Sequence, residues 1–440
     1  MNDQMLEKAV LNKVAWRLIP YLIVAYLLCY IDRTNLGFAA LTMNQELGFT
    51  ATIFGWGAGI FFIGYFLFEV PSNLAFERFG ARIWIARIMI TWGLISAAMS
   101  LVSGTASFLM TRFLLGAAEA GFFPGVVYYL TYWFPERHRG KVLSRFMFAQ
   151  PIALMIGSAL SGWILSLNGT LGIAGWKWLF ILEGIPSVLL GIFTLWYLTD
   201  KPAQASWLEP HEREWLQAEI EKEHKKVESV RKYSFWEALT HPKVLMLGLV
   251  YVSTALCNYG TNMFLPQIVK ALGNYSSTEI GLISAIPYVC AAIGMLAVGY
   301  SSDYFQERKW HLSGIMLLSG LGLFASTFVS TNAVLTIACL SLAAIGFFAM
   351  IPIFWILPSR FLTGTASAAG IALINSIGNL GGFVGPFGVG YVKDATGSFL
   401  PALQLLAIYM IAAAGAAFWI SIQTEKMQEA ETVADKSISS

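Results

Sequence analysis

Long apolar stretches separated by short polar segments recur along the whole chain. The stretches that carry no Asp, Glu, Lys or Arg are 47–68, 88–111, 146–176, 244–269, 280–302, 312–359, 361–392 and 395–424. Each is at least as long as the roughly 18–20 residues that cross a bilayer. The stretch 312–359 is long enough for two spans, and the polar turn 330–332 divides it. Apolar segments at about 18–41, 106–133 and 178–199 contain single charges. The pattern predicts twelve transmembrane helices.

The composition agrees with this pattern. The chain is 57% hydrophobic and 12% charged, whereas soluble domains carry roughly 25% charge. The predicted fold class is an all-α polytopic membrane protein with two six-helix bundles. The predicted segments are an N-terminal segment at 1–17, bundles at 18–199 and 242–422, a cytoplasmic linker at 200–241 and a tail at 423–440.

The linker holds a large share of the charges. Residues 200–240 contain seven Lys or Arg and nine Asp or Glu. The stretch from Glu212 to Lys226 is typical of a solvated amphipathic helix. A regulatory or partner-binding role is the alternative to a simple connection.

The basic residues indicate which side of the membrane each loop occupies. They concentrate in alternate loops at Arg78, Arg82, Arg87, Arg137, Arg139, Lys141, Arg145, Arg308, Lys309 and Arg360, and the opposite loops hold few. Because basic loops stay on the cytoplasmic side, both termini are expected there. No cleavable signal peptide is expected, and the net charge of +2 gives no indication of nucleic acid. The four cysteines lie in different spans and suit packing better than disulfides.

Four ionisable residues lie well inside predicted spans. Asp32 and Arg33 lie in the first span, and Arg112 and Glu119 lie seven residues apart in the fourth. Each costs at least about 2.5 kcal/mol at bilayer depth, so each suggests a functional role. Guanidinium groups bind carboxylates bidentately, and buried carboxyls can exchange protons. A purely structural set of buried ion pairs is the alternative.

Uncharged polar and aromatic residues extend this candidate site. The first half offers Tyr26, Tyr30, Tyr65 and Gln150, and the second half offers Asn258, Asn262, Trp355, Asn375 and Asn379. The first half is interpreted as the charge-recognition side and the second as the wall that tests the rest of the substrate. Glu69 and Glu183 also lie in apolar surroundings, and we expect structural or gating roles for them.

The halves share a repeated cytoplasmic loop. Residues 73–82 follow the second span, and residues 299–309 occupy the corresponding position after the eighth. An acidic residue beside a basic cluster can form a gating ion pair between helices. The candidates are Glu77, Arg78, Arg82, Asp303 and Arg308. The alternative is that these charges only set the topology. The loop is similar to the G-x-x-x-D-[RK]-x-G-x-[RK] motif of the major facilitator superfamily, although Asn73 and Glu77 depart from it.

A narrower resemblance covers nearly the whole chain. The motifs are Asp32-Arg33-x-Asn35, the run from Arg112 to Gly121, Tyr132-Trp133-Phe134-Pro135 and Phe354-Trp355 with Pro358. They resemble the anion:cation symporter family. The segments 59–73 and 123–125 are similar to its bacterial tartrate, phthalate, hydroxyphenylacetate and sugar-acid permeases.

This resemblance implies proton-coupled uptake of a small organic carboxylate by alternating access, in a bacterial inner membrane. It implies protonation of Asp32 and Glu119, and substrate recognition or coupling by Arg33 and Arg112. Tyr30, Tyr65, Gln150, Trp355 and Asn375 would line the cavity, and Asn258 and Asn262 are added from our interpretation of span 7. The expected partners are the organic anion and the lipid bilayer, with no nucleic acid, no cofactor beyond protons, and a monomeric state.

The proposed coupling scheme uses the four charges. Ionised Asp32 and Glu119 would hold the two arginines, and protonation would free a guanidinium for the substrate carboxylate. A membrane enzyme is disfavoured because all five histidines lie in loops or at a helix boundary. A receptor is disfavoured because no output domain is evident. Within transport, sodium coupling and anion exchange stay open, and exchange is the stronger alternative.

Overall fold

Helices account for the regular secondary structure in the part of the chain that the computed structural model describes, which is residues 3–228, 242–359 and 364–439. Linker residues 229–241 and Arg360 lie outside that part. The helices of the first half are α1 Asp3–Leu47, α2 Ala51–Phe79, α3 Ala81–Ala98, α4 Thr105–Glu119, α5 Phe122–Thr131, α6 Glu136–Met147, α7 Ala149–Leu165 and α8 Gly175–Tyr197, followed by α9 Pro210–Glu228 in the linker.

The second half continues in the same manner. Its helices are α10 Pro242–Ala271, α11 Ser277–Tyr304, α12 Lys309–Ser326, α13 Ala333–Phe354, α14 Ile356–Ser359, α15 Gly364–Thr396 and α16 Leu400–Ser439. Polar caps start some of them. Thr50 accepts a hydrogen bond from the backbone nitrogen of Ile53 at 3.2 Å, and Asn332 accepts one from Leu335 at 3.1 Å. These caps satisfy amide groups that a helix start leaves unpaired.

Ten of the twelve predicted spans are found among the described residues as segments long and apolar enough to cross a membrane, and α4 with α5 and α6 with α7 each count as one of them. In the described part of the chain, the 18-residue α12 and the 33-residue α15 occupy the positions of the other two predicted spans. Many large apolar side chains on these helices face outward, including Leu101, Trp196 and Ile293. Outward apolar faces suit contact with lipid tails.

The chain forms two compact units. One contains Met1–Val230 with Tyr275–Leu282, and the other contains Arg231–Asn274 with Ile283–Ser440. In the first unit, the extensive contacts are between α3 and α8, between α2 and α4, and between α1 and both α7 and α8. In the second, α10 packs on α15, and α12 packs on α13 and α16. The predicted bundle and linker limits stay predictions.

Glycines bring α2 and α4 unusually close together. A Cβ at Gly116 would overlap the backbone carbonyl of Phe61, and a Cβ at Gly64 would overlap that of Phe113. Small residues permit this kind of backbone approach between membrane helices. As a result, Arg112, one turn before Gly116, lies directly against the backbone of α2.

The linker helix α9 is docked on the first unit by one face, as an amphipathic helix can be. Leu216 and Ile220 are buried. Glu212 forms an ion pair with Lys13 of α1 at 2.7 Å. Partial burial acts to raise the pKa of Glu212, but the hydrogen bonds from Lys13 and from the backbone of Glu209, together with the nearby positive charge, outweigh it, and the pKa lies below its ordinary value of 4.5.

Charged contacts join the remaining length of α9 to α6. Arg137 binds both Glu219 of α9, at 3.0 Å, and Glu7 of α1, at 2.8 Å. Arg139 binds Glu223 at 3.2 Å. The linker helix is therefore tied to the start of the first span and to the start of the fifth.

Candidate functional site

Asp32 and Arg33 are neighbours on α1, carry opposite charges and lie in different surroundings. Arg33 forms an ion pair with Glu119 of α4, and its Nε donates to Glu119 Oε1 at 2.6 Å. Asp32 accepts hydrogen bonds from Ser96 at 2.8 Å, Ser187 at 2.9 Å and the indole nitrogen of Trp92 at 3.0 Å. The predicted pairing of Asp32 with an arginine is not found within the described residues, because neutral donors of α3 and α8 surround this carboxyl.

Glu119 is the last residue of α4, and the local sequence explains why. Ala120 is extended, and Gly121 adopts a φ of +87°, a left-handed conformation that glycine tolerates without strain. The fourth span is therefore broken between α4 and α5. A carboxylate is electrostatically unfavourable at a helix C-terminus, so the 1% exposed Glu119 depends on Arg33 for compensation.

Arg112 lies on α4 two turns before Glu119 and is 1% exposed. Its Nε donates to the backbone carbonyl of Gly57 at 3.1 Å. Its two terminal nitrogens are buried and have no hydrogen-bond partner among the residues that the structure describes. Buried guanidinium groups are normally paired, because an uncompensated charge costs several kcal/mol. Within the described part of the chain, the terminal nitrogens are therefore unpaired charged donors, a kind of group that binds anions well.

Aromatic rings enclose the two guanidinium groups. The guanidinium carbon of Arg33 lies 5.1 Å from the ring centre of Tyr30 and 5.5 Å from that of Tyr65. The ring centre of Phe61 lies 5.3 Å from the guanidinium carbon of Arg33 and 5.0 Å from that of Arg112. Cation–π contacts of this kind stabilise guanidinium charge while excluding water.

Arg33, Arg112 and Glu119, together with Asp32 beside Arg33, carry two positive and two negative charges when all four are ionised. Protonation of either acid would leave one excess positive charge, which favours an anionic ligand. Cys29 donates its thiol hydrogen to Glu119 at 3.1 Å, which adds a weak donor on the side of the carboxylate. The arrangement can therefore exchange a protein carboxylate for a ligand carboxylate at a guanidinium.

The predicted site residues of the second unit are Asn258, Asn262, Trp355 and Asn375. Asn262 donates its amide to the side-chain oxygen of Asn258 one turn earlier. Trp355 contacts Tyr251 edge to face, with ring centres 5.1 Å apart. Asn375 lies half-buried on α15. In the first unit, Gln150 is buried on α7.

The predicted gating residues form different contacts in the two halves. In the second unit, Arg308 binds Asp303 at 2.6 Å and also donates to Ser302 at 2.7 Å. In the first unit, Asp200 accepts from the backbone nitrogen of Arg82 at 2.7 Å and so caps α3. Within the described residues, Glu77, Arg78 and Arg82 form no ion pair. Their gating role stays a prediction.

Several contributing residues were not identified from the sequence. Phe61 and the Gly57 carbonyl carry no polar side-chain signal, so periodicity alone could not find them, whereas Tyr251 has a phenol like the tyrosines selected in the first half and was overlooked. Trp92, Ser96 and Ser187 could have been found, because hydroxyl and indole groups inside apolar spans need buried partners. They surround Asp32 and explain why this carboxyl has no need of an arginine.

Comparison with known proteins gives matches over nearly the whole chain. A protein of Agrobacterium vitis named "Putative tartrate transporter" is 47% identical over 414 residues, covering 94% of this chain and 95% of the relative. A protein of Acinetobacter baumannii named "Quinolone resistance transporter" is 46% identical over 405 residues, covering 92% and 93%. Both names describe transporters and not enzymes.

The fold matches a solved transporter as well. The crystal structure of a bacterial homolog of the human lysosomal transporter Spinster superposes with a TM-score of 0.76 at 17% identity, covering 94% of this chain and 98% of that one. The sequence model described as "Major Facilitator Superfamily" matches residues 22–386. This match, which covers most of the chain, shows that the chain belongs to the major facilitator superfamily of membrane transporters.

Proposed function

We propose that this protein takes up a small organic carboxylate anion together with protons, by alternating access across a bacterial inner membrane. Its termini would both be cytoplasmic. The family supports transport, the basic loops support the orientation, and the charge cluster of the first unit supports an anionic substrate. Tartrate, a sugar acid or an aromatic acid would satisfy this chemistry.

The observation that carries the proposal is the state of Arg112. Its terminal nitrogens are buried without a hydrogen-bond partner in the described part of the chain. Two parallel N–H groups on a planar fork match the two oxygens of a carboxylate. A substrate carboxylate bound there would satisfy both donors.

The ion pair between Arg33 and Glu119 supplies a coupling step. Protonation of Glu119 would remove its negative charge and leave the guanidinium of Arg33 without a carboxylate partner. A substrate carboxylate could then take the position of Glu119, so the cluster would stay neutralised while the site is occluded. Proton loss on the cytoplasmic side would restore the ion pair and displace the substrate.

Asp32 is proposed as a second protonation site, although its partners differ from those predicted. Three neutral donors hold it beside Arg33 on the same helix turn. Its charge therefore acts on Arg33 through space. Protonation of Asp32 would raise the net positive charge of the region and strengthen anion binding.

The name of a relative and the chemistry of the two arginines both narrow the substrate class. The name of the Agrobacterium relative indicates tartrate for that protein, and tartrate is a hydroxy-acid with two carboxylates. Two arginines could each bind one carboxylate.

The test of anion recognition is substrate counterflow in proteoliposomes with Arg112→Lys and Arg112→Ala. Lysine keeps the charge but lacks the planar fork, so we expect counterflow to fall at least about tenfold, and alanine to abolish it. Arg213→Lys is the control, because Arg213 lies on the linker helix and has no ion pair in the described part of the chain. Wild-type counterflow by Arg112→Ala would show that the buried guanidinium does not bind the substrate.

A further inference from the structure

A second buried carboxyl in the first unit plays no part in the scheme above. Glu183 of α8 is 2% exposed. Its Oε1 accepts a hydrogen bond from Ser161 of α7 at 2.8 Å. Its Oε2 is buried and has no hydrogen-bond partner among the residues that the structure describes.

Asn35 of α1 connects Glu183 with Asp32. The side-chain nitrogen of Asn35 lies 3.5 Å from Asp32 Oδ1, and the same side chain interacts with Glu183. Asn35 is fully buried, and its Oδ1 also lacks a hydrogen-bond partner within the described residues. Two unsatisfied oxygens, one on Glu183 and one on Asn35, therefore occur in one buried cluster.

No basic group neutralises Glu183 from the helices packed around it, as far as the described residues show. The ionisable group that faces it from α1 is Asp32, which is also acidic. Helix α7 contains no ionisable residue between 149 and 165. Helix α3 contributes Trp92 and Ser96, which bind Asp32.

This arrangement favours a protonated Glu183. Two buried carboxylates in one cluster without a basic partner repel each other and are poorly solvated. Asp32 has three donors and is the better site for the negative charge. A proton on Glu183 would remove the uncompensated negative charge that its buried Oε2 would otherwise carry.

The position of Glu183 along α8 places it between the outer side of the membrane and Asp32 in the proposed topology. Ser187, which binds Asp32, follows Glu183 by one helical turn, and residues one turn apart share a helix face. In the proposed topology the start of α8 lies on the outer side, so Glu183 is nearer that side than Ser187. At the same end, Trp176 donates to the exposed Glu46 of α1 at 2.8 Å. Three acidic residues, Glu46, Glu183 and Asp32, therefore follow one another from the outer end along the contact between α1 and α8.

We propose that Glu183 is a proton relay residue that supplies Asp32 from the outer side, by a route separate from the substrate cluster. In the relay step the O–H bond of Glu183 breaks and an O–H bond forms on Asp32. The electron pair stays on Glu183, which then takes another proton from the outer side. The inference rests on the proposed proton coupling and adds a residue and a route to it.

The test compares two modes of transport by Glu183→Gln in proteoliposomes. Counterflow of labelled tartrate requires no net proton transfer, so we expect it to stay within about twofold of the wild type. Uptake driven by an inward proton gradient, and the accompanying acidification of a trapped pH dye, should fall at least about tenfold. Glu183→Asp keeps an ionisable carboxyl and should recover part of the gradient-driven uptake. Glu214→Gln, on an exposed linker acid, is the control.

Other outcomes separate the relay from a structural role. Glutamine imitates a permanently protonated glutamate, so wild-type gradient-driven uptake by Glu183→Gln would overturn the relay. If Glu183→Gln does not fold, Ser161→Ala removes the hydrogen bond but keeps the carboxyl. The relay then predicts slower gradient-driven uptake with unchanged counterflow, and an unchanged ratio of the two would contradict it. Loss of gradient dependence in the wild type itself would instead contradict the proposed function.

Discussion

Removing the carboxylate from the ion pair between Arg33 and Glu119 should destabilise the empty protein and make its stability depend on substrate. Glu119→Gln keeps the shape of the side chain but removes its charge. Glu119 is 1% exposed and the side chain of Arg33 is 11% exposed. Arg33 would therefore keep a mostly buried guanidinium without its carboxylate, while Arg112 already has unsatisfied terminal nitrogens.

The size of the effect follows from the burial of the pair. Breaking a buried ion pair by removing one partner costs about 3–5 kcal/mol. The small exposure of Arg33 and its aromatic neighbours place this case at the lower end, at about 3 kcal/mol. For a cooperative unit of roughly 200 residues, each kcal/mol shifts the midpoint of unfolding by about 2–4 °C. The expected decrease in Tm is thus about 6–12 °C.

The decrease in Tm is measured by thermal unfolding of the purified protein in detergent, with and without the transported anion. A bound carboxylate would replace the missing charge, so the anion should raise the Tm of Glu119→Gln by more than it raises the wild-type Tm. Glu214→Gln should match the wild type in both conditions. If Glu119→Gln had the wild-type Tm and the wild-type response to the anion, the ion pair would not hold the arginine for exchange.

Two further predictions concern the packing around the site and the linker. Gly116→Ala should lower the Tm by about 5 °C or more, because its methyl group would overlap the Phe61 carbonyl. Gly104→Ala is the control and should leave the Tm unchanged, because there is open space around Gly104. Equal Tm values for the two variants would contradict the close approach of α2 and α4. The ion pair of Glu212 with Lys13 should stabilise the docked α9 above pH 4.5 and be lost as the pH falls through the lower folded-state pKa of Glu212. Hydrogen–deuterium exchange over 210–228, corrected for intrinsic rates, should rise at acid pH and in Lys13→Ala, and unchanged exchange would show that apolar contacts alone hold the helix.

The helices were predictable because the bilayer imposes a simple rule. A spanning segment must satisfy its own backbone hydrogen bonds and present apolar side chains, so length and hydropathy alone located the spans. The same rule identified Asp32, Arg33, Arg112 and Glu119, since ionisable residues are costly at that depth.

The partners of these charges were not predictable, because pairing depends on side-chain direction and helix packing. Asp32 and Arg33 are adjacent in sequence but point to different helices. The break at Gly121, which ends α4 at Glu119, depends on one backbone conformation. The docking of α9 depends on charges of α1 and α6 that are far away in sequence.

The most direct test of proton-coupled anion uptake is transport by the wild-type protein in proteoliposomes. Labelled tartrate, galactonate, phthalate and 4-hydroxyphenylacetate would each be offered with an inward proton gradient and without one. Symport predicts that at least one compound accumulates above its outside concentration only with the gradient, and that Glu119→Gln loses this accumulation. Counterflow that is independent of the gradient, with no accumulation of any compound, would contradict symport and favour an anion exchanger in which Asp32 and Glu119 are structural.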